Sequence, residues 1–283
     1  MRTAKLLAFL CAFAAPAAHA GAAPSSAGAG ALYVSLSASN QIAIFDRYNG
    51  RVQKGTITSG IQFSASLATD RSGTLYVGNH NQTVTVYPFG ATAPSATITN
   101  GIGFPAYLAI GPDNSLYVSN LDLMTVVQYP PGSTAPSRTI PFNAPQSGIA
   151  VGPGGDLFVV TNAGDIQRFK PGATKGESLG IALGTGYSQL LLDKQGNFVV
   201  VQPAYGSLQV YAKAKPYNVI HVYSVGQGAG TAAFSASGDA LYATDGAGSR
   251  VVQIVYPQGN FADVIDNGQF VYANALAVTP AEH

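Results

Sequence analysis

"YPFGATAPSATI" (87–98) and "YPPGSTAPSRTI" (129–140) agree at nine of twelve positions, 42 residues apart. A phrase written twice at such a spacing points to duplicated structural units, because fixed periods of about 20 to 50 residues mark solenoids, propellers and arrays. Each copy sets Pro and Gly where a tight turn wants them and then runs into a short apolar stretch. That is the chemistry of a hairpin and not of a catalytic loop.

The doubled phrase belongs to a longer unit. Its most visible part is "ALYVS" at Leu32, "TLYVG" at Leu75, "SLYVS" at Leu116, "DLFVV" at Leu157, "NFVVV" at Phe198 and "ALYAT" at Leu241, with successive spacings of 43, 41, 41, 41 and 43. An aromatic residue closes a second short run in each copy: Phe45, Tyr87, Tyr129, Phe169, Tyr211 and Tyr256. In the copy after Asn100 four such runs follow one another, "YLAIG", "SLYVS", "TVVQYP" and "SRTIP", separated by turn residues. Short runs of period two read as strands, and four strands per unit of roughly 40 residues is the signature of a propeller blade. The expected fold is therefore all-β: a six-bladed β-propeller with four antiparallel strands per blade.

The phase of the repeat tells how the ring closes. It opens on a second strand, "LYVSL", and ends on an unmatched first strand, "NALAVTP" at 274–280. Pairing that last strand with the first three completes one blade and hides edges that an open array would expose to aggregation. A closed monomeric ring over 31–280 is expected, with a tail at 281–283.

The unit "LAIGPDNSLYVSN…VVQYPPG" resembles the NHL-type repeat and, more loosely, the six-bladed group that includes gluconolactonase and regucalcin. The resemblance implies the fold. It leaves activity open, since propellers of this shape host hydrolases, lyases and pure binding modules.

Composition narrows the partners. The 283 residues are 47% hydrophobic and only 10% charged, with a formal net charge of +1. Arg2 and Lys5 lie in a leader with a short apolar run and small residues at Ala18 and Ala20, which reads as a secretory signal peptide over 1–20, cleaved after Ala20, followed by a flexible leader over 21–30. Without that leader the count is 12 basic against 13 acidic residues, so no field favours nucleic acid or an anionic membrane. The apolar run is broken by Pro16 and too short to span a bilayer. A secreted or periplasmic protein is expected, and Cys11, the single cysteine, leaves with the signal.

In such a blade the turns between strands one and two lie at one end with those between three and four. The loops from two to three and from blade to blade share the other, upper end, where the resemblance places sites. The residue just past the second strand reads Leu36, Asn79, Asn120, Thr161, Gln202 and Asp245. Amides and hydroxyls around a channel mouth suit an uncharged polar ligand, although Asn and Asp in this place also serve Asx-turns. With His80 and Asn274, the candidate ligand-binding set is Asn79, His80, Asn120, Thr161, Gln202, Asp245 and Asn274, for a glycan, peptide or protein. Tyr107, Tyr187, Tyr205 and Tyr272 fall outside the repeated aromatic register and belong near the same loops.

An enzymatic alternative is a divergent metal-dependent hydrolase or lactonase. The resemblance implies a metal held by Glu, Asn and Asp just before the innermost strands, where this chain reads Ala65, Ala106, Ser147, Ser188, Gly230 and Asn274. Its two glutamates, Glu177 and Glu282, lie on an outer hairpin and in the tail, so the ligand set is not reproduced and neither metal nor cofactor is expected. His80 is the best-placed base by type but has no carboxylate near it in sequence, while His221 falls in an outer strand.

Overall fold

A computed structural model describes residues 30–46, 52–184, 189–226, 228–245, 250–265 and 273–279. The signal, most of the leader, the tail, Tyr187, Ser188 and Tyr272 lie outside the described residues.

Six four-stranded antiparallel sheets form the blades. The first receives β1 (Ala31–Leu36), β2 (Gln41–Asp46) and β3 (Gln53–Ile57); the second is β4 (Ser64–Thr69), β5 (Leu75–Asn79), β6 (Thr83–Tyr87) and β7 (Ala96–Ile98). The third is β8 (Pro105–Ile110), β9 (Leu116–Asn120), β10 (Thr125–Tyr129) and β11 (Arg138–Pro141); the fourth is β12 (Gln146–Val151), β13 (Leu157–Thr161), β14 (Asp165–Phe169) and β15 (Glu177–Ala182). The fifth is β16 (Leu190–Leu192), β17 (Phe198–Gln202), β18 (Ser207–Tyr211) and β19 (Val219–Ser224); the sixth is β20 (Ala232–Phe234), β21 (Ala240–Thr244), β22 (Val251–Val255) and β23 (Asn260–Ile265). β24 (Ala273–Val278) then returns to the first blade and pairs with β1, Tyr33 opposite Ala277 and Val34 opposite Leu276. The expected clasp of three strands plus one is present.

Turn chemistry explains the hairpins. In "DRSGT" the Asp70 Oδ1 accepts the N–H groups of Ser72 and Thr74, both at 2.9 Å, and Gly73 takes φ +81°. Asp193 repeats the device on Gln195 and Asn197 at 2.9 and 2.8 Å. Short acidic side chains here mimic a strand partner and fix the turn.

Packing lies between blades rather than within them. Successive side chains of a strand point to opposite faces, and every residue of β5 is buried because both faces meet a neighbour. Leu75 and Val77 join Tyr33, Ile42 and Ile57 of the first blade, whereas Tyr76 joins Leu116, Val118 and Tyr129 of the third. Six such clusters, one per seam, close the ring. The repeated aromatics seal the seams: Tyr87 and Tyr129 are fully buried, and each hydroxyl donates at 2.6 Å to the loop carbonyl of the preceding seam, Ser59 O and Asn100 O.

Candidate functional site

The first strands of the blades line the central channel, which changes character along its length. The waist, of about 350 Å³, is walled by Leu67, Leu108, Ile149, Leu190 and Leu276, with Thr69 and Gln189 also lining it. The lower mouth, of about 260 Å³, carries Asp70 and Arg71, both committed to neighbouring turns; the Arg71 guanidinium donates to Pro112 O at 2.6 Å. The upper mouth encloses about 380 Å³ and is bordered by His80, Phe104, Tyr107, Gln189, Thr231 and Asn274. Among the described residues no Asp, Glu, Lys or Arg lines it.

Two aromatic rings hold His80 at this mouth. Phe63 and Phe104 meet its imidazole edge-to-face at centroid distances of 4.7 and 4.4 Å, an arrangement that the ring quadrupoles favour. The His80 N–H donates to Gln62 O at 3.0 Å, so the hairpin after β5 is tied to the loop that bears Phe63. Across the mouth, Gln189 Oε1 accepts from Thr231 Oγ1 at 3.0 Å and from Ala232 N at 2.6 Å. That leaves its Nε2 with no acceptor among the described residues. Asn274 is exposed, and its Nδ2 donates to Ser37 Oγ at 2.7 Å.

Of the seven sequence candidates, the structure brings His80 and Asn274 to the channel mouth and sets the other five further out. Asn79 is buried: its Oδ1 accepts the Gln62 N–H at 2.9 Å, and its Nδ2 donates to Thr85 Oγ1 at 3.1 Å and Val77 O at 3.2 Å. Asn120 repeats this one blade on, accepting from Gly103 N at 3.0 Å and donating to Gly101 O at 3.1 Å and Thr125 Oγ1 at 3.2 Å. Gln202 Nε2 reaches Leu183 O at 3.3 Å. In the sixth blade the equivalent bonds come from Thr244, whose Oγ1 accepts from Gly230 N and Thr231 N at 3.0 and 3.2 Å. Asp245, one residue later, is ion-paired with Arg250. Asn79, Asn120, Gln202 and Thr244 thus stitch the second strands of their blades to the loops entering them. The physical reason is placement: the first strand stands between them and the axis, and neighbouring strands are about 4.8 Å apart.

Thr161 is half-buried and its Oγ1 accepts only Asp165 N at 3.3 Å. Asp122, at the same end, caps the Phe104 N–H and accepts Leu123 N at 3.0 Å. Tyr107 lines the mouth as its position suggested, whereas Tyr205 stands 72% exposed on a short turn outside it. His221 is exposed on β19, stacked on Tyr223 at 6.0 Å. Sequence reasoning missed Phe63 and Phe104. A signal for them exists, since "SGIQF" (59–63) and "NGIGF" (100–104) are a second phrase written twice, 41 residues apart.

The mouth does not fit a divalent metal. Among the described residues its possible donors are one imidazole and neutral amides or hydroxyls, whereas calcium and magnesium want about six oxygens including carboxylates. Among the described residues no three His, Cys, Asp or Glu converge anywhere. Nor is His80 paired with a nucleophile or a carboxylate among the described residues.

Fold and site together define a six-bladed β-propeller whose upper mouth is lined, among the described residues, by uncharged side chains. Solved structures agree on the fold. A chain from the crystal structure of a nidogen/laminin complex superposes with a TM-score of 0.72 at 14% identity, covering 90% of this chain and all of that one. A chain of hydrazine synthase from Kuenenia stuttgartiensis gives 0.64 at 13% identity, covering 95% and 99%. No known family's sequence profile matches this chain, and no curated protein matches it in sequence.

Proposed function

We propose that the protein is an exported binding module, built from NHL-type repeats, whose upper channel mouth holds an uncharged glycan. The observation that carries this is the mouth itself: about 380 Å³, free of charged side chains among the described residues, with the Phe104 and His80 rings on one side and the donors and acceptors of Gln189, Thr231 and Asn274 on the other. A sugar ring has C–H faces that cover aromatic carbon and hydroxyl edges that exchange hydrogen bonds with amides. A charged ligand would be desolvated there without a partner. Export rests on the leader over 1–20, and the nidogen/laminin neighbour supports placing the chain among interaction modules.

An array of neutral and charged glycans probed with the mature protein tests this. Neutral oligosaccharides are expected to bind, and His80→Ala combined with Asn274→Ala is expected to remove that binding while the melting temperature stays. A set of hits restricted to charged glycans, or binding indifferent to the double substitution, contradicts the reading.

A further inference from the structure

The fourth blade departs from its two predecessors where they seal themselves. In the second and third blades the inter-blade loop lies on the third strand: Gly60 and Gly101 pack beside Tyr87 with Pro94 and Tyr129 with Pro136, and Asn79 and Asn120 bind the loop backbone. Aligning the hairpins on their shared turn bond (Ala91 N to Pro88 O, Ser133 N to Pro130 O, Ala173 N to Lys170 O) shows what changes. The tyrosine becomes Phe169 and loses the hydroxyl that gripped the loop. The proline becomes Gly176, whose missing side chain leaves room for the Phe169 ring, 2.6 Å from where a Cβ would sit. The clamping asparagine becomes Thr161. A cation also arrives, because Lys175 stands where the earlier blades have Ala93 and Ala135.

The seam between blades three and four is accordingly open. A cleft of about 570 Å³ runs there, floored by Phe142 and Phe169, edge-to-face at 5.6 Å, and bordered by Gln146, Thr161, Gln167 and Lys175. Gln146 is 0% exposed; its Nε2 donates to Ala144 O at 2.5 Å, but its buried Oε1 has no hydrogen-bond partner among the described residues. A buried acceptor without a partner destabilises the fold unless something donates to it. Lys175 is exposed and makes no ion pair among the described residues.

We propose that this seam is a second binding site, for an acidic sugar. The sugar ring lies on the half-buried Phe142, backed by the buried Phe169, a hydroxyl donates to Gln146 Oε1, and the acidic substituent meets Lys175 at the outer end. The site is separate from the channel mouth and shares no lining residue with it.

Titration of the mature chain with a panel of uronate-, sulfate- and phosphate-bearing disaccharides, each beside its neutral parent, tests this by heteronuclear NMR. At least one acidic member is expected to bind, at least threefold tighter than its parent at low salt. Read from the amide resonances of Gln146, Thr161 and Gln167, Lys175→Ala should erase that difference, and Gln146→Leu should weaken the acidic and the neutral sugar alike by about tenfold. Lys175 is exposed, so its variant folds whatever Gln146→Leu does. Absence of binding across the panel, equal affinity for acidic and neutral forms, or binding insensitive to Lys175→Ala overturns the proposal.

Discussion

Asn120 and Phe104 sit on neighbouring segments of one seam and do different work. The amide of Asn120 is spent on Gly103, Gly101 and Thr125, so its loss strands a buried N–H and a carbonyl. Asn120→Ala is expected to cost on the order of 1 to 3 kcal/mol, read as a lower denaturation midpoint with an unchanged slope. A midpoint equal to that of the parent protein would show that the amide is not a clamp. The sequence displayed both residues but not their division of labour. A polar residue ending a second strand was legible from the 41-residue repeat, yet whether it faced the axis or the seam depended on the intervening first strand. Phe104 was hidden for the opposite reason, as one more aromatic in a chain with 13 Phe and 15 Tyr.

Strands were the most legible level, because a blade's second strand is buried on both faces and so writes a run of three apolar residues in every copy, "LYV" in three of them. The innermost strands were harder to place at their upper ends. β4, β8 and β12 each shift register there, between Ser64 and Ser66, Pro105 and Tyr107, and Gln146 and Ile149. Such bulges re-aim side chains in ways that period-two counting cannot follow. β24 is the element with the largest leverage. It joins the first blade through β1, and Thr279 reinforces the clasp, its N–H donating to Ala31 O at 2.9 Å while its Oγ1 accepts Ala31 N at 2.6 Å. A chain ending at residue 272 should lose the channel wall of that blade and expose the edge of β1. Sharply lower solubility or a melt broken into more than one transition is the expected result. An unchanged cooperative melt would mean that closure does not depend on the last strand.

At the scale of the molecule, every seam is packed with buried side chains, and the pH dependence follows from the tyrosines among them. Burial pushes the hydroxyls of Tyr33 and Tyr129 up to about 12. Tyr76 reaches about 12 through burial and then the Asp70 carboxylate, and Tyr256 is raised by burial and by its hydrogen bond to Asp193. A raised value in the folded state means that the unfolded chain ionises first. Stability is therefore full below about pH 10, the ordinary tyrosine value, and is lost as pH rises toward 12. Melting followed against pH with tyrosinate absorbance should show ionisation and unfolding together in that window. Ordinary titration near pH 10 with the fold intact would contradict it.

The central claim is that ligand is held by the mouth and that the ring of amides behind it is scaffold. A calorimetric titration of a neutral glycan hit into the parent protein, Phe104→Ala and Asn120→Ala tests this directly. The account predicts affinity at least tenfold weaker for Phe104→Ala, about 1.4 kcal/mol, with little loss of stability. It predicts unchanged affinity of the folded protein for Asn120→Ala despite its lower melting temperature. The reverse pattern, with affinity lost at Asn120 and kept at Phe104, would contradict the account.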